Sequence, residues 1–587
     1  MKILKYFYFM LLTTVLIMLN SCSLEEHIED SPTPATITSE SDVDAVIQGM
    51  YSRYNDSGMF KFLGFIMITI CADDIFSNSG SEYGLYAERT YTSGSTNPMW
   101  SNMYATIENA NNLIEVLDKL ELSPAFEKRA YGEAYFNRAF AYYYLVRLYG
   151  GVPLRTTATH IDSDFYLPRT SIDETYAQII KDFKAASERL PASVVAGELG
   201  RATKGAAQGF LAQALLTYGN QLSLAGKSGT AQYTEAGLYA DSVIISKQYA
   251  LTPDYKDLFD INKETDAYKE VIFGIRFTTD PQARAQPAAG SEYAQSFGAG
   301  NTWGVSAGGA NGNNAYRGAH WFADYYRSGD YLTGTDPRNN DNIDYRNLVA
   351  FHQRSHNNAN KFFAVYPNVP GSTVPGSTGD GTINDPIIAK YQDPGGKDAR
   401  NNGNDFFVLR YAEVLLIKAE AENELNGQTK VATDAFNQVR YRARTVNSIP
   451  NARPVPADLL PNTLTKDQFR MKIFDERGIE FLAEGLRWFD LVRMRSPLNP
   501  KQTMYEYQFK VVLADPKKFP PKLPTGYNAA SQQYTPTPAN AVKPEILNVG
   551  PNVTNLNGVT GPKFILFPVP SQELLQNKNF GPQNTGW

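Results

Sequence analysis

The chain has 587 residues, with 55 lysines and arginines against 61 aspartates and glutamates, a formal charge of −6. That balance, without any Lys/Arg block, excludes a nucleic-acid footprint; 42% hydrophobic and 20% charged residues exclude a disordered chain. Two cysteines are too few for a disulfide framework or a cysteine-rich zinc site.

In chain order, the first pattern is a targeting segment. Lys2 and Lys5 precede an apolar run from Tyr6 to Leu19, too short to span a bilayer comfortably. The run closes on Leu19-Asn20-Ser21-Cys22, which resembles a bacterial lipobox, Asn20 being a mild departure. The resemblance implies a signal peptide over 1–21, cleavage before Cys22, acylation of Cys22 and a lipidated tether over 22–40. Two or more acyl chains anchor stably where one is marginal. Cleavage removes two lysines and no acid, leaving a charge of −8. Ser23-Leu24-Glu25-Glu26 resembles the surface-export signal of some Gram-negative lipoproteins. Ser31-Pro32-Thr33-Pro34 is extended and not helical. No later segment reaches the roughly 18 apolar residues of a spanning helix, so the body is expected to be soluble and tethered. Cys71 is expected to be a buried structural thiol.

Helical periodicity starts near Ser41, with Ser39, Ser41 or Asp42 as cap and Val43, Val46, Ile47 and Met50 on one face. Three later stripes share one spacing: Ala139-Tyr142-Tyr143-Val146, Ala207-Phe210-Leu211-Ala214 and Ala412-Leu415-Leu416-Ala419. A small residue opens each, which lets a neighbouring helix approach closely. The first two stripes lie 68 residues apart, twice the tetratricopeptide period. Between them Thr170-Ser171 opens a helix that Pro191 ends, Gly200 precedes the next, and Tyr233–Lys247 forms another. After about Phe277 the composition turns to Gly, Asn, Asp and Pro, and residues 278–404 read as a loop-rich insertion. Val271-Ile272-Phe273-Gly274-Ile275 is the clearest strand. Helical pattern returns over Phe406–Asn426, Ala432–Arg444 and Lys466–Arg495, before an irregular end from 496 to 587. The expected fold is mostly α, a tetratricopeptide-like helical scaffold (about 41–277 and 405–496) in a single domain over 41–587. Two loop-rich regions and few short strands complete it.

Several blocks then carry a family resemblance. They are Trp100-Ser101-Asn102-Met103-Tyr104 with Ile107 and Asn111; Arg138-Ala139-Phe140 with Tyr149-Gly150-Gly151-Val152-Pro153; Arg201-Ala202-Thr203-Lys204; and Arg410-Tyr411-Ala412-Glu413 with Ala419-Glu420-Ala421. The most specific runs from Glu476-Arg477 through Glu480, Glu484-Gly485 and Arg487-Trp488-Phe489-Asp490 to Arg493. Together with the ending Gln583-Asn584 and Gly586-Trp587, they resemble the SusD/RagB family of outer-membrane nutrient-uptake lipoproteins. The resemblance implies a helical scaffold under a loop-rich binding face, an outer-membrane location facing the cell exterior, and a TonB-dependent SusC-like barrel as partner. It implies oligosaccharide cargo, or peptide in some members, and no catalysis. Ligand loops vary within the family, so no ligand residue carries over.

Other chemistries have weaker support. Glu476, Glu480 and Glu484 at i,i+4 spacing suggest acid–base work, but the interleaved arginines favour a structural ladder along a helix. Gly304-Val305-Ser306-Ala307-Gly308 matches a nucleophile elbow, yet Gly309 and Gly312 cannot readily start the helix that motif requires, so a serine hydrolase is a remote alternative. His352 and His356 have zinc-capable spacing on a helix, without the glutamate of H-E-x-x-H. The acids between Asp336 and Asp344 lack the EF-hand order. No metal or cofactor is expected. What remains is binding by loop aromatics, which cover the C–H face of a sugar while polar groups bond its hydroxyl rim. Two loop regions hold that mixture, and their candidate ligand residues are Asp73, Tyr83 and Tyr86 in one and Trp303, Tyr316 and Arg317 in the other.

Overall fold

The computed structural model describes residues 36–77, 85–86, 91–279, 290–298, 315–326, 328–333, 340–352, 354–356, 362–364, 386–393, 400–508 and 565–587. Cys22 and the segment before it lie outside the described residues. Helix α1 is Glu40–Ser52. Ser39 caps it: the hydroxyl accepts from the Asp42 amide and the Asp42 carboxylate accepts from the Ser39 amide, which satisfies two end donors at once. Val43, Ile47 and Met50 are buried, while Val46 stays half-buried.

Helix α2 (Leu63–Ile70) leads to strand β1 (Ile75–Ser77). Five long helices follow: α3 (Asn97–Leu117), α4 (Pro124–Tyr149), α5 (Ile172–Arg189), α6 (Lys204–Leu224) and α7 (Thr230–Ser246). Each packs on the next, as stacked helix pairs do. Their starts are written in sequence: Pro at the first position of α4, a Ser171/Glu174 capping box on α5 and Thr203 on α6. Ala139 and Ala207, which open the first two stripes, are fully buried.

Strand β2 (Val271–Ile275) runs into this scaffold, with the Phe273 ring 5.0 Å from Phe136 and 5.7 Å from Phe210. It pairs antiparallel with a strand that begins far downstream, Ile275 opposite Phe406 and Val271 opposite Arg410. The loop-rich insertion therefore leaves the scaffold and returns to it at one ribbon. Within the insertion, β3 (Tyr316–Gly318), β4 (Arg354–His356) and β5 (Phe362–Ala364) are short. The closing strand is β6 (Phe406–Arg410). Helix α8 (Tyr411–Asn426) follows directly and packs on α7, on α9 (Lys430–Ala443) and on α10 (Lys466–Glu480). Helix α11 is Arg487–Arg493 and α12 is Ser571–Gln576.

Three expectations change. Phe406–Asn426 is not all helix: Phe406–Arg410 is strand β6, and the helix starts at Tyr411. Lys466–Arg495 is not one helix: α10 stops at Glu480, and Ala483 and Gly485 take φ of 61° and 73°. That left-handed backbone breaks the helix and turns Glu484 toward the insertion. His352 and His356 do not share a helix face, because His356 lies in β4, opposite Phe362 of β5. Among the described residues no helix is long and apolar enough to cross a membrane.

Candidate functional site

The site rests on a block of buried charge that fastens the insertion to the scaffold. Five cations, Arg346, Lys390, Arg410, Arg440 and Arg442, meet five carboxylates, Glu270, Asp344, Glu476, Glu480 and Glu484. Arg346, from the insertion, pairs with Asp344 at 2.7 Å, Glu476 at 2.6 Å and Glu480 at 3.0 Å. Lys390, also from the insertion, donates to Glu484 at 2.8 Å. Arg410 at the end of β6 joins Glu484 at 2.7 Å, Glu270 at 2.6 Å and Glu480 at 3.0 Å. Burial opposes charge on Glu480, but Arg442, Arg410, Arg346 and Lys390 outweigh it and hold the carboxyl far below its ordinary range. Burial lowers the Lys390 ammonium to about 8, although Glu484 opposes that shift. The aligned glutamates thus have arginine partners on all sides, an arrangement for holding segments together rather than for moving protons.

Above this block, β1 pairs antiparallel with β3, Ile75 opposite Gly318, Phe76 opposite Arg317 and Ser77 opposite Tyr316. The two loop regions singled out in the sequence are joined by this ribbon. The chain leaves β1 after Ser77 and enters β3 before Tyr316, at the same end. Tyr83 follows one exit and Trp303 precedes the other entry in sequence; both lie outside the described residues, as does Ser306.

The remaining sequence candidates are buried. Asp73 is fully buried and accepts from Arg487 Nε at 2.7 Å and Nη2 at 3.0 Å, a bidentate pair. Tyr86 is buried, donates to the Ser95 carbonyl at 2.7 Å and stacks on Tyr91. Tyr91 in turn meets Phe567 and the C-terminal Trp587 at 5.0 and 5.1 Å. Tyr316 and Arg317 are buried too, with the Tyr316 ring 5.8 Å from Phe297. Loop-like composition makes Asp73, Tyr86 and Tyr316 candidates for ligand contact, and the structure buries all three. Arg487, which sequence reasoning left in a scaffold helix, is the residue that anchors β1 from below.

Asp74 lies beside Asp73, fully buried, with Oδ1 unpartnered. Burial and then the Asp73 charge push its carboxyl up to about 7. A folded value above the ordinary 3.8 means the folded chain keeps a proton that the unfolded chain loses, so Asp74 costs stability progressively from about pH 4 to pH 7. Asp74→Asn is expected to stabilise the protein by on the order of 3 kcal/mol at pH 8 and not at all near pH 3.5. Thermal melts of both proteins across that range check it; a pH-independent difference would refute it.

Comparison with known proteins meets this geometry at the same places. A model of the SusD family matches residues 269–587, more than half of the chain, including the whole insertion and the α10–α11 block. The chain belongs to the SusD family. A second model, described as starch-binding associating with outer membrane, matches residues 24–216. SusD-like protein P2 of Formosa agariphila is 28% identical over 467 residues, covering 77% of this chain and 83% of the relative. The structure of a SusD homolog from Bacteroides thetaiotaomicron superposes with a TM-score of 0.71 at 19% identity, over 94% of this chain and 98% of that one. A laminarin-binding SusD-like protein superposes with a TM-score of 0.63 at 18% identity, over 94% and 100%. These likenesses establish a SusD fold built on tetratricopeptide-like helices, as the spacing of the small-residue stripes predicts.

Proposed function

We propose that the protein is a cell-surface lipoprotein, acylated at Cys22, that captures oligosaccharides and passes them to a TonB-dependent SusC-like barrel in the outer membrane. The observation that carries this reading is the β1–β3 ribbon, which pairs Ile75–Ser77 of one loop region with Tyr316–Gly318 of the other. Aromatic faces and polar groups gathered at one place are what a sugar ring requires. The laminarin-binding relative of the same fold and the starch-binding description of the matched N-terminal model support glycan as cargo. The arginine partners of Glu476, Glu480 and Glu484 support binding without catalysis.

Trp303→Ala is expected to weaken glycan binding by about tenfold or more, in line with the loss of a stacked aromatic, and Tyr83→Ala to act in the same direction. Unchanged calorimetric affinity in both variants would remove the ribbon from the binding site. The lipidated protein should copurify with a large outer-membrane barrel in mild detergent. A clean monomer, and a Cys22→Ser variant with undiminished membrane association, would count against the anchored, barrel-bound reading.

A further inference from the structure

We propose that Glu264 and Asp405 form a proton-operated clasp at the neck of the insertion, closed while Glu264 is a neutral acid and loosened when that acid ionises. The neck is where the chain leaves the scaffold after β2 and re-enters it at β6, with Ile275 opposite Phe406. No ligand takes part in the clasp, so it goes beyond glycan capture. It sets how firmly the insertion, which carries β3, is held to the helices.

Asp405 stands one residue before β6, and its side chain is fully covered. Its carboxylate collects three donors from the outgoing limb. The Phe277 amide donates to Oδ1 at 2.7 Å, the Tyr268 hydroxyl to Oδ2 at 3.0 Å and Arg276 Nε to Oδ2 at 3.3 Å. One side chain of the returning limb thus ties down the residues from which the other limb departs. The Asp405 amide donates in turn to Glu264 Oε1 at 2.8 Å, which adds the short helix Glu264–Ala267 to the clasp.

The charges around this pair do not balance if both acids ionise. Arg276 faces Asp405 as a cation. Asp393, on the returning limb, accepts from the Gly403 amide at 2.8 Å, and its charge acts against ionisation of Glu264. Asp260 and Lys390 line the same gap; Asp260 accepts from the Asn262 amide at 3.0 Å, and Lys390 is committed to Glu484 at 2.8 Å. Burial holds the Tyr268, Tyr293 and Tyr391 hydroxyls far above their ordinary value, so these neighbours stay neutral. The gap has a volume of about 10 Å³, room for one water at most, so solvent does little to screen two anions.

Burial, and then the Asp405 charge, push the Glu264 carboxyl up to about 8. Burial pushes Asp405 up to about 6, against the pull of Arg276, the Phe277 amide and Tyr268. Between these values Asp405 is an anion that keeps its three donors, and Glu264 beside it adds no charge. The closed neck therefore holds a proton that an open, solvated Glu264 gives up near the ordinary 4.5. Closure is complete below that value and is lost progressively as pH rises through about 8. Above pH 6 Asp405 is already ionised in the closed neck, so the further loosening belongs to Glu264.

Hydrogen exchange at the Phe277 and Asp405 amides reads the clasp directly, since these are the two backbone donors it holds. In the full-length chain in mild detergent, their protection factors are expected to fall by about tenfold or more between pH 6 and pH 8, as release of one proton per opening requires. Amides along α5 should not show that fall. Glu264→Gln keeps an acceptor at Oε1 and cannot ionise; protection at both amides should stay flat over the same range and exceed that of the native protein at pH 8. Asp393→Asn removes one opposing charge and should give a smaller fall than the native protein. Lys390, lowered by burial to about 8, is present in all three proteins and cancels from the comparison. Parallel loss of protection in the native protein and Glu264→Gln, or a loss of equal size along α5, would overturn the clasp. No glycan enters the measurement, so failure of the clasp leaves glycan capture standing, and absence of glycan binding leaves the clasp intact.

Discussion

Replacing Glu480 with glutamine is expected to destabilise the protein by about 3–5 kcal/mol, the range for breaking a buried ion pair. Glutamine preserves the shape and removes the charge. In the native block five buried cations face five buried carboxylates. Glu480 touches three of those cations, Arg346, Arg410 and Arg442, so the variant retains a buried positive charge with no counter-ion. Because Arg346 belongs to the insertion and Arg410 to β6, the loss loosens the junction between insertion and scaffold. Glu235→Gln, which removes an exposed partner of Lys184, serves as control and should change stability by less than about 1 kcal/mol. Urea denaturation of the three proteins measures both effects. Equal destabilisation by the two variants would show that the central block contributes nothing special.

Arg487→Met is expected to cost a similar amount, about 3–5 kcal/mol, with a different local signature. Asp73 then loses its bidentate partner, and Asp73 and Asp74 remain adjacent and buried. The strain falls on β1, which follows directly. Hydrogen exchange should rise first at Ile75–Ser77 and Tyr316–Gly318, the two strands of the ribbon, and glycan affinity should fall with it. Adding Asp73→Asn to Arg487→Met removes the stranded charge and should recover part of the stability, as coupled partners do in a double-mutant cycle. Exchange that rises uniformly over the whole chain would contradict a local latch.

Local rules predict much of this fold. The Ser39 cap, the Ser171 capping box and the apolar face of α1 follow from residues within a turn of one another. The alanines that open the helix stripes are buried as their spacing requires. β2 was legible as an apolar run, although its partner β6 was read as part of a helix. The helix break after Glu480 was not legible, because the apolar spacing continues through it and the cause is a left-handed turn at Ala483 and Gly485. The candidate site was half legible. Composition located the two loop regions, and the ribbon joins them. Composition does not reveal which way a carboxylate points: Asp73 looked like a loop ligand because its partner Arg487 is 414 positions away in sequence. The burial of Tyr86 has the same kind of cause, since its neighbour Tyr91 packs on Trp587. Pairings of that range arise from tertiary packing, and no local pattern encodes them.

Glycan capture is tested most directly by binding calorimetry on residues 23–587 against panels of oligosaccharides and short peptides, with Trp303→Ala alongside. The predicted result is saturable binding to a glycan that the variant loses. Saturable binding to peptides with silence on every glycan would contradict it, leaving a SusD-family scaffold whose cargo is peptide.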